Sequence, residues 1–207
     1  YFGAGKKRTT ISISTLKRNL DPTLKLLEEK LFRPAFTEED FKRMKKQWKA
    51  SLKQETKQAD AMAGKAYDFV TYGETVLGVP ETAKSIDKIE LQDLKDYYEK
   101  YYTPSLAKIT IVGELTEQES KQKLEFLNQW KSKDVVVPVP PAPLSQEGKQ
   151  FYLYDIPGAS SSVLNMGYYT GVKYDPYGEF FTNRVANFAF GGTFNSRLNL
   201  NLREDKG

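Results

Sequence analysis

The sequence predicts an α+β fold, on two observations. Segments with apolar residues at helical spacing, opened by capping residues, fill 20–60 and 85–131, while segments of strand-type alternation stand at 8–16, 106–112, 151–156 and 162–169. The elements come in blocks without strict strand-helix alternation, which favours helices packed on an antiparallel-rich sheet over a parallel doubly wound one.

The first strand is expected at Arg8–Leu16, where Ile11, Ile13 and the intervening Ser and Thr alternate. Asp21 and Pro22 form the pairing of an N-cap with proline at the first helical position, and Leu20, Leu24, Leu27 and Leu31 follow until Pro34. Thr37 to Asp40 resembles a capping box, opening a long helix with Phe41, Met44, Trp48 and Leu52 as its inward stripe. Lys42, Lys45, Lys46, Lys49 and Lys53 then fall on its other face, which reads as solvated. Ser85–Tyr102 holds a helix with Leu91, Leu94, Tyr97 and Tyr98 inward, ended by Pro104. After the strand Leu106–Val112, a capping box at Thr116–Glu119 opens a helix presenting Leu124, Leu127 and Trp130. Val135–Pro143 is proline-rich and favours an extended, semi-rigid linker. Two strands, Phe151–Ile156 and Ser162–Tyr169, and two helices, over about 176–190 and 195–204, complete the chain.

Composition narrows the chemistry. The 207 residues contain no histidine and no cysteine, so disulfides and thiolate or imidazole metal ligation are excluded, and no cofactor is expected. Ser160, Ser161 and Ser162 have neither a histidine nor a motif-paired lysine to act as base, and no glycine spacing forms a phosphate cradle. The net charge is +4, with 15 Lys and Arg against 8 Asp and Glu in residues 1–60. That basic stripe lacks the aromatic stacking positions or recognition motif that nucleic-acid binding requires, so no nucleic acid is expected as a partner. No apolar run is long enough to span a membrane, and none is expected there.

The residues that point to function lie after Gly191-Gly192. On a helix over 195–204, Ser196, Asn199 and Arg203 share one face while Leu198 and Leu202 line another, and Arg197 is a second cation nearby. A guanidinium beside neutral hydrogen-bond donors suits peptide carbonyls or carboxylates. Pairing of Arg197 and Arg203 with local acids such as Glu204 or Glu179 is the other use these side chains can have.

The order of several segments resembles the pitrilysin/insulinase family of zinc metallopeptidases, which includes the mitochondrial processing peptidases. They are Leu31–Phe36 before the long helix, Tyr72-Gly73 to Pro80, Ser85-Ile86 through Asp93-Leu94 to Pro104, Ile109–Gly113, Asp155–Ala159, Gly191-Gly192 to Leu198, and Leu202-Arg203-Glu204. The resemblance implies layered α/β units, with 1–131 the later part of one unit, 132–150 a proline-rich connector and 151–207 the start of the next. It implies a clamshell peptidase in which one half carries an HxxEH zinc motif and the other, without metal, holds the substrate backbone. Met44 and Ser51 stand where catalytic members carry a glutamate pair, the second a zinc ligand, so this chain matches a fragment of the non-catalytic half. Arg203 matches the family's substrate-binding arginine, whose partner tyrosine would fall just beyond Gly207, and Ser161 replaces a glutamine found in many relatives. The implied partners are a peptide substrate and an HxxEH-bearing half, with zinc held in that half. The fold's non-proteolytic respiratory-complex subunits give the alternative, a structural or assembly protein.

Overall fold

The computed structural model describes residues 1–145 and 148–206. They form two compact units, Tyr1–Asn165 and Met166–Gly207.

In the first unit β1 (Phe2–Ala4) and β2 (Thr9–Ile11) form an antiparallel hairpin in register Phe2↔Ile11, closed by the Gly5 N–H donating to the Arg8 carbonyl at 2.9 Å. The helices α1 (Leu20–Phe32), α2 (Glu38–Glu55), α3 (Ala59–Tyr72), α4 (Ala83–Asp87), α5 (Leu91–Tyr101) and α6 (Glu117–Lys123) follow. The α+β class holds, with helix dominant and, among the described residues, sheet confined to this hairpin.

Capping residues placed several boundaries. The Thr37 hydroxyl accepts from the Asp40 N–H at 3.2 Å, and Thr116 and Glu119 exchange both bonds of a capping box at 3.1 and 2.8 Å. Other boundaries differ from the sequence expectation. Helix α1 starts at Leu20 with Asn19 at its cap, because a 3-10 turn at Lys17–Asn19 already sets helical geometry ahead of Asp21. The 85–102 region is two helices, with Thr82 and Ser85 capping α4 and the Glu90 N–H bonded to Asp93 at 2.7 Å to start α5. The expected strands at 106–112, 151–156 and 162–169 have no ladder partner among the described residues, and β2 extends only as far as β1 can pair with it. Strand-type alternation marks a segment fit for a sheet, and the ladder itself depends on a distant partner.

The core gathers between α1, α5 and the segment after α6. Leu31 is buried, Phe32 meets Phe126 and Trp130 edge-on at 6.5 and 6.1 Å, and Phe36 does the same to Tyr98 at 5.5 Å. Polar groups here are paired: the Tyr98 hydroxyl donates to the Leu31 carbonyl at 2.5 Å, and the Trp130 indole N–H to the Tyr102 carbonyl at 3.1 Å. Buried Thr103 accepts from the Lys133 N–H at 3.0 Å, which fixes the chain just past α6 against the end of α5.

The stripe of α2 is turned from its expected position. Leu52 is buried and Phe41 half-buried, but Met44 and Trp48 are exposed, and Lys45 and Lys49 occupy the inward positions between them. Their ammonium groups explain this. Lys45 donates to the carbonyls of Asp87 and Ile89 at 2.9 and 2.6 Å, and Lys49 pairs with the Asp87 carboxylate at 2.7 Å, so both bind the C-terminal end of α4, where carbonyls lack helical partners. The Lys45 ammonium also stands 5.3 Å from the centroid of the Phe41 ring.

The proline-rich stretch runs without helix or strand from Val135 to Pro143, and the Leu144 N–H donates to the Thr71 carbonyl at 2.7 Å at its end. Residues 146 and 147 of the 132–150 segment lie outside the described residues. In the second unit, α7 (Glu179–Asn187) continues into a π-helical turn at Phe188–Gly192, and α8 (Arg197–Asn199) into another at Leu200–Asp205. The helices expected over 176–190 and 195–204 are thus present as mixed α and π segments. Among the described residues no helix is long and apolar enough to cross a membrane.

Candidate functional site

Local sequence builds the second unit's polar cluster from the Gly191-Gly192 turn upward. A side chain at Gly192 would approach the Asn187 carbonyl oxygen to 3.1 Å, and one at Gly191 would meet Leu198 at 3.3 Å, so the small residues let the turn lie close to both. Ser196 follows, 1 % exposed, with its N–H on the Thr193 carbonyl at 3.1 Å and its hydroxyl oxygen accepting from the Asn199 N–H at 3.4 Å. Its oxygen serves as the N-cap of α8.

Two of the four expected residues converge on a third that sequence reading passed over. The Asn199 side-chain amide donates to the Phe194 carbonyl, and the Arg203 guanidinium stands 4.7 Å from the centroid of the Phe194 ring. The π-helical turn, with its wider i→i+5 spacing, carries the chain from Asn199 to Arg203. Arg203 remains 62 % exposed at its side chain and lies 3.8 Å from Glu204, a distance at which an exposed pair contributes little. Arg197 is exposed and has no ion pair among the described residues. The structure therefore joins Asn199, Arg203 and Phe194, gives Ser196 to the backbone, and leaves Arg197 apart. An aromatic residue just before the Ser196 cap was the available signal for Phe194.

The donor chemistry of the chain does not fit zinc. It has no imidazole or thiolate, and the described residues bring no three carboxylates together. Ser51 is exposed on α2 and offers a hydroxyl where a carboxylate ligand is needed, and exposed Met44 offers only a thioether.

Perturbed carboxylates lie in the first unit and are structural. Asp87 is held below the ordinary Asp range by its hydrogen bond from Lys49, Asp40 by bonds from Arg43 and Thr37, and Glu119 by those from the Thr116 N–H and side chain. Tyr98 moves the opposite way, its phenol raised by burial and then by neighbouring Tyr102.

The chain is thus a helix-dominated α+β protein whose second unit gathers Asn199, Arg203 and Phe194 into one cluster. Residues 88–207 match the peptidase M16 inactive domain, and the chain belongs to that family. The resemblance to pitrilysin/insulinase peptidases is borne out, on the non-catalytic side. Among curated proteins none matches the chain.

Proposed function

We propose that the chain is the substrate-binding, non-catalytic half of a zinc-dependent peptidase, closing against an HxxEH-bearing half that holds the zinc and attacks the peptide. The observation that carries this reading is Arg203, in the Leu202-Arg203-Glu204 segment of an inactive-domain match, presented exposed above an aromatic ring. A fixed guanidinium is suited to a peptide carbonyl or carboxylate, and its charge-assisted hydrogen bonds can strengthen as negative charge develops on a carbonyl oxygen. Phe190, Phe194 and Leu202 are exposed on the same unit, which supports a surface that meets another polypeptide. In this reading 1–131 belongs to one peptidase-like unit, 132–150 connects, and 151–207 opens the next.

The test is reconstitution with the HxxEH-bearing half, sought in the same open reading frame or an adjacent gene. Turnover of an unfolded peptide should need both halves, with zinc in the other one. Full turnover by the HxxEH half alone would remove this chain's role in catalysis, and a parent gene and neighbours without HxxEH would favour a structural or assembly protein.

A further inference from the structure

A long arginine side chain loses much rotamer freedom when it meets a ligand in one geometry, so a support that sets its direction beforehand lowers that cost. For Arg203 the support is not an ion pair, since Glu204 stands 3.8 Å away and both side chains are exposed.

The segment before α8 is built as a mount. The Ser196 N–H donates to the Thr193 carbonyl at 3.1 Å, and the Ser196 hydroxyl oxygen accepts from the Asn199 N–H at 3.4 Å. The half-buried Asn199 then turns its side-chain amide back onto the Phe194 carbonyl, which closes residues 193–199 on themselves. An amide N–H spent on that carbonyl is not offered to a ligand.

From this mount the Phe194 ring projects 60 % exposed, with the guanidinium carbon of Arg203 4.7 Å from its centroid. A ring quadrupole attracts the cation but takes none of its strong hydrogen bonds. Direction is thereby supplied while the guanidinium N–H groups keep their donor capacity.

We infer that Asn199 and Phe194 are positioning residues for Arg203: Asn199 fixes the Phe194 backbone, the Phe194 ring directs the guanidinium, and the guanidinium alone meets the peptide. The consequence for turnover rests on the reading of Arg203 as the substrate contact, whereas the positioning itself is a property of this chain.

Two measurements test it. In the chain alone, the Arg203 side-chain protons should resonate upfield of those of an unstructured arginine through the Phe194 ring current. Phe194→Leu should abolish that shift and Asn199→Ala should reduce it, while Phe194→Tyr should keep it. In the reconstituted two-half enzyme, Phe194→Leu should lower kcat/KM about two- to fivefold, the worth of an exposed cation–π contact. Phe194→Tyr should stay within about twofold of the parent. Added to Arg203→Ala, Phe194→Leu should have no further effect, because the two residues act as one. An equal loss from Phe194→Leu with and without Arg203 would overturn the inference, by making the ring act apart from the arginine. Arg203 protons at unstructured positions in the parent chain would overturn it as well, as would a shift that survives Phe194→Leu. Unchanged turnover in Arg203→Ala would instead remove the substrate-contact reading, and the ring-current shift would still decide the positioning.

Discussion

The guanidinium of Arg203 stands 4.7 Å from the centroid of the Phe194 ring, which supports an exposed cation from one side without neutralising it. A carboxylate partner at close range would have consumed its hydrogen-bonding capacity. The aromatic face leaves the N–H groups at the guanidinium edge free for a ligand. In the reconstituted two-half enzyme, Arg203→Ala should lower kcat/KM by about 1.5–3 kcal/mol of transition-state stabilisation, with little change in Tm. Phe194→Leu should cost less, about 0.5–1 kcal/mol, because it removes the support and keeps the charge. Steady-state peptide hydrolysis measures both, and an unchanged kcat/KM in Arg203→Ala would make the arginine purely structural.

The clamp between α2 and α4 gives the fold an acid-sensitive contact. The folded-state pKa of Asp87 is depressed, first by the hydrogen bond from Lys49, so the ion pair's contribution is complete above the unfolded Asp pKa. It is lost as pH falls through the lower folded value. Thermal melts from neutral to acid pH should therefore show a steeper loss of Tm below the ordinary carboxylate range in the parent chain than in Asp87→Asn. A carboxyl-carbon titration of Asp87 by NMR should give a midpoint below that of an unstructured aspartate.

Elemental analysis after dialysis should find no stoichiometric zinc on the chain. Exposed Met44 and Ser51 are not zinc ligands, and single carboxylates elsewhere hold the ion weakly. One equivalent of tightly held zinc would contradict the assignment to the non-catalytic half.

What could be read from sequence was what neighbouring residues decide. The caps at Thr37 and Thr116 depend on side chains three residues apart, and the structure keeps them. The stripe of α2 departs from the one its apolar residues predict, because Met44 and Trp48 are more apolar than Lys45 and Lys49, and only the position of α4's C-terminal carbonyls and the Asp87 carboxylate makes the lysines the inward pair. Helix α3 has Ala59, Met62, Ala66, Phe69 and Val70 at helical spacing, but Gly64 at its middle weakens the sequence signal for it. Strand-type segments such as Ile109–Val112 carry the pattern of a sheet but not the identity of a partner. At the candidate site, Arg203 and Asn199 were legible as polar residues on a helix, whereas their meeting at Phe194 depends on the π-helical turn, for which the sequence reading had no signal.

The hydroxyl of Tyr98 joins α5 to the end of α1 through the Leu31 carbonyl. Tyr98→Phe keeps the ring's edge-on contact with Phe36 and removes only the donor. Loss of one such bond should destabilise the first unit by about 0.5–1.5 kcal/mol. Urea unfolding followed by Trp130 fluorescence, in the Trp48→Phe background, should show a lower midpoint with an unchanged m-value.

Two glycines should respond to alanine with opposite signs. Gly78 lies against Gly73, and a Cβ there would sit 2.1 Å from the Gly73 carbonyl oxygen and 2.9 Å from its nitrogen. Neither atom can swing aside as a side-chain tip would, and Gly73 is itself held at φ 58°, a conformation that glycine tolerates best. Gly78→Ala therefore forces the Tyr72–Gly78 loop open, at about 1–3 kcal/mol. Gly64 is inside α3 with nothing within 4 Å of the place a Cβ would take. Gly64→Ala should stabilise by about 0.5–1 kcal/mol, since alanine restricts the unfolded chain and favours helix without a clash. Chemical denaturation of the two variants beside the parent chain checks both signs, and a tolerated Gly78→Ala would mean that the loop does not pack against Gly73 in solution.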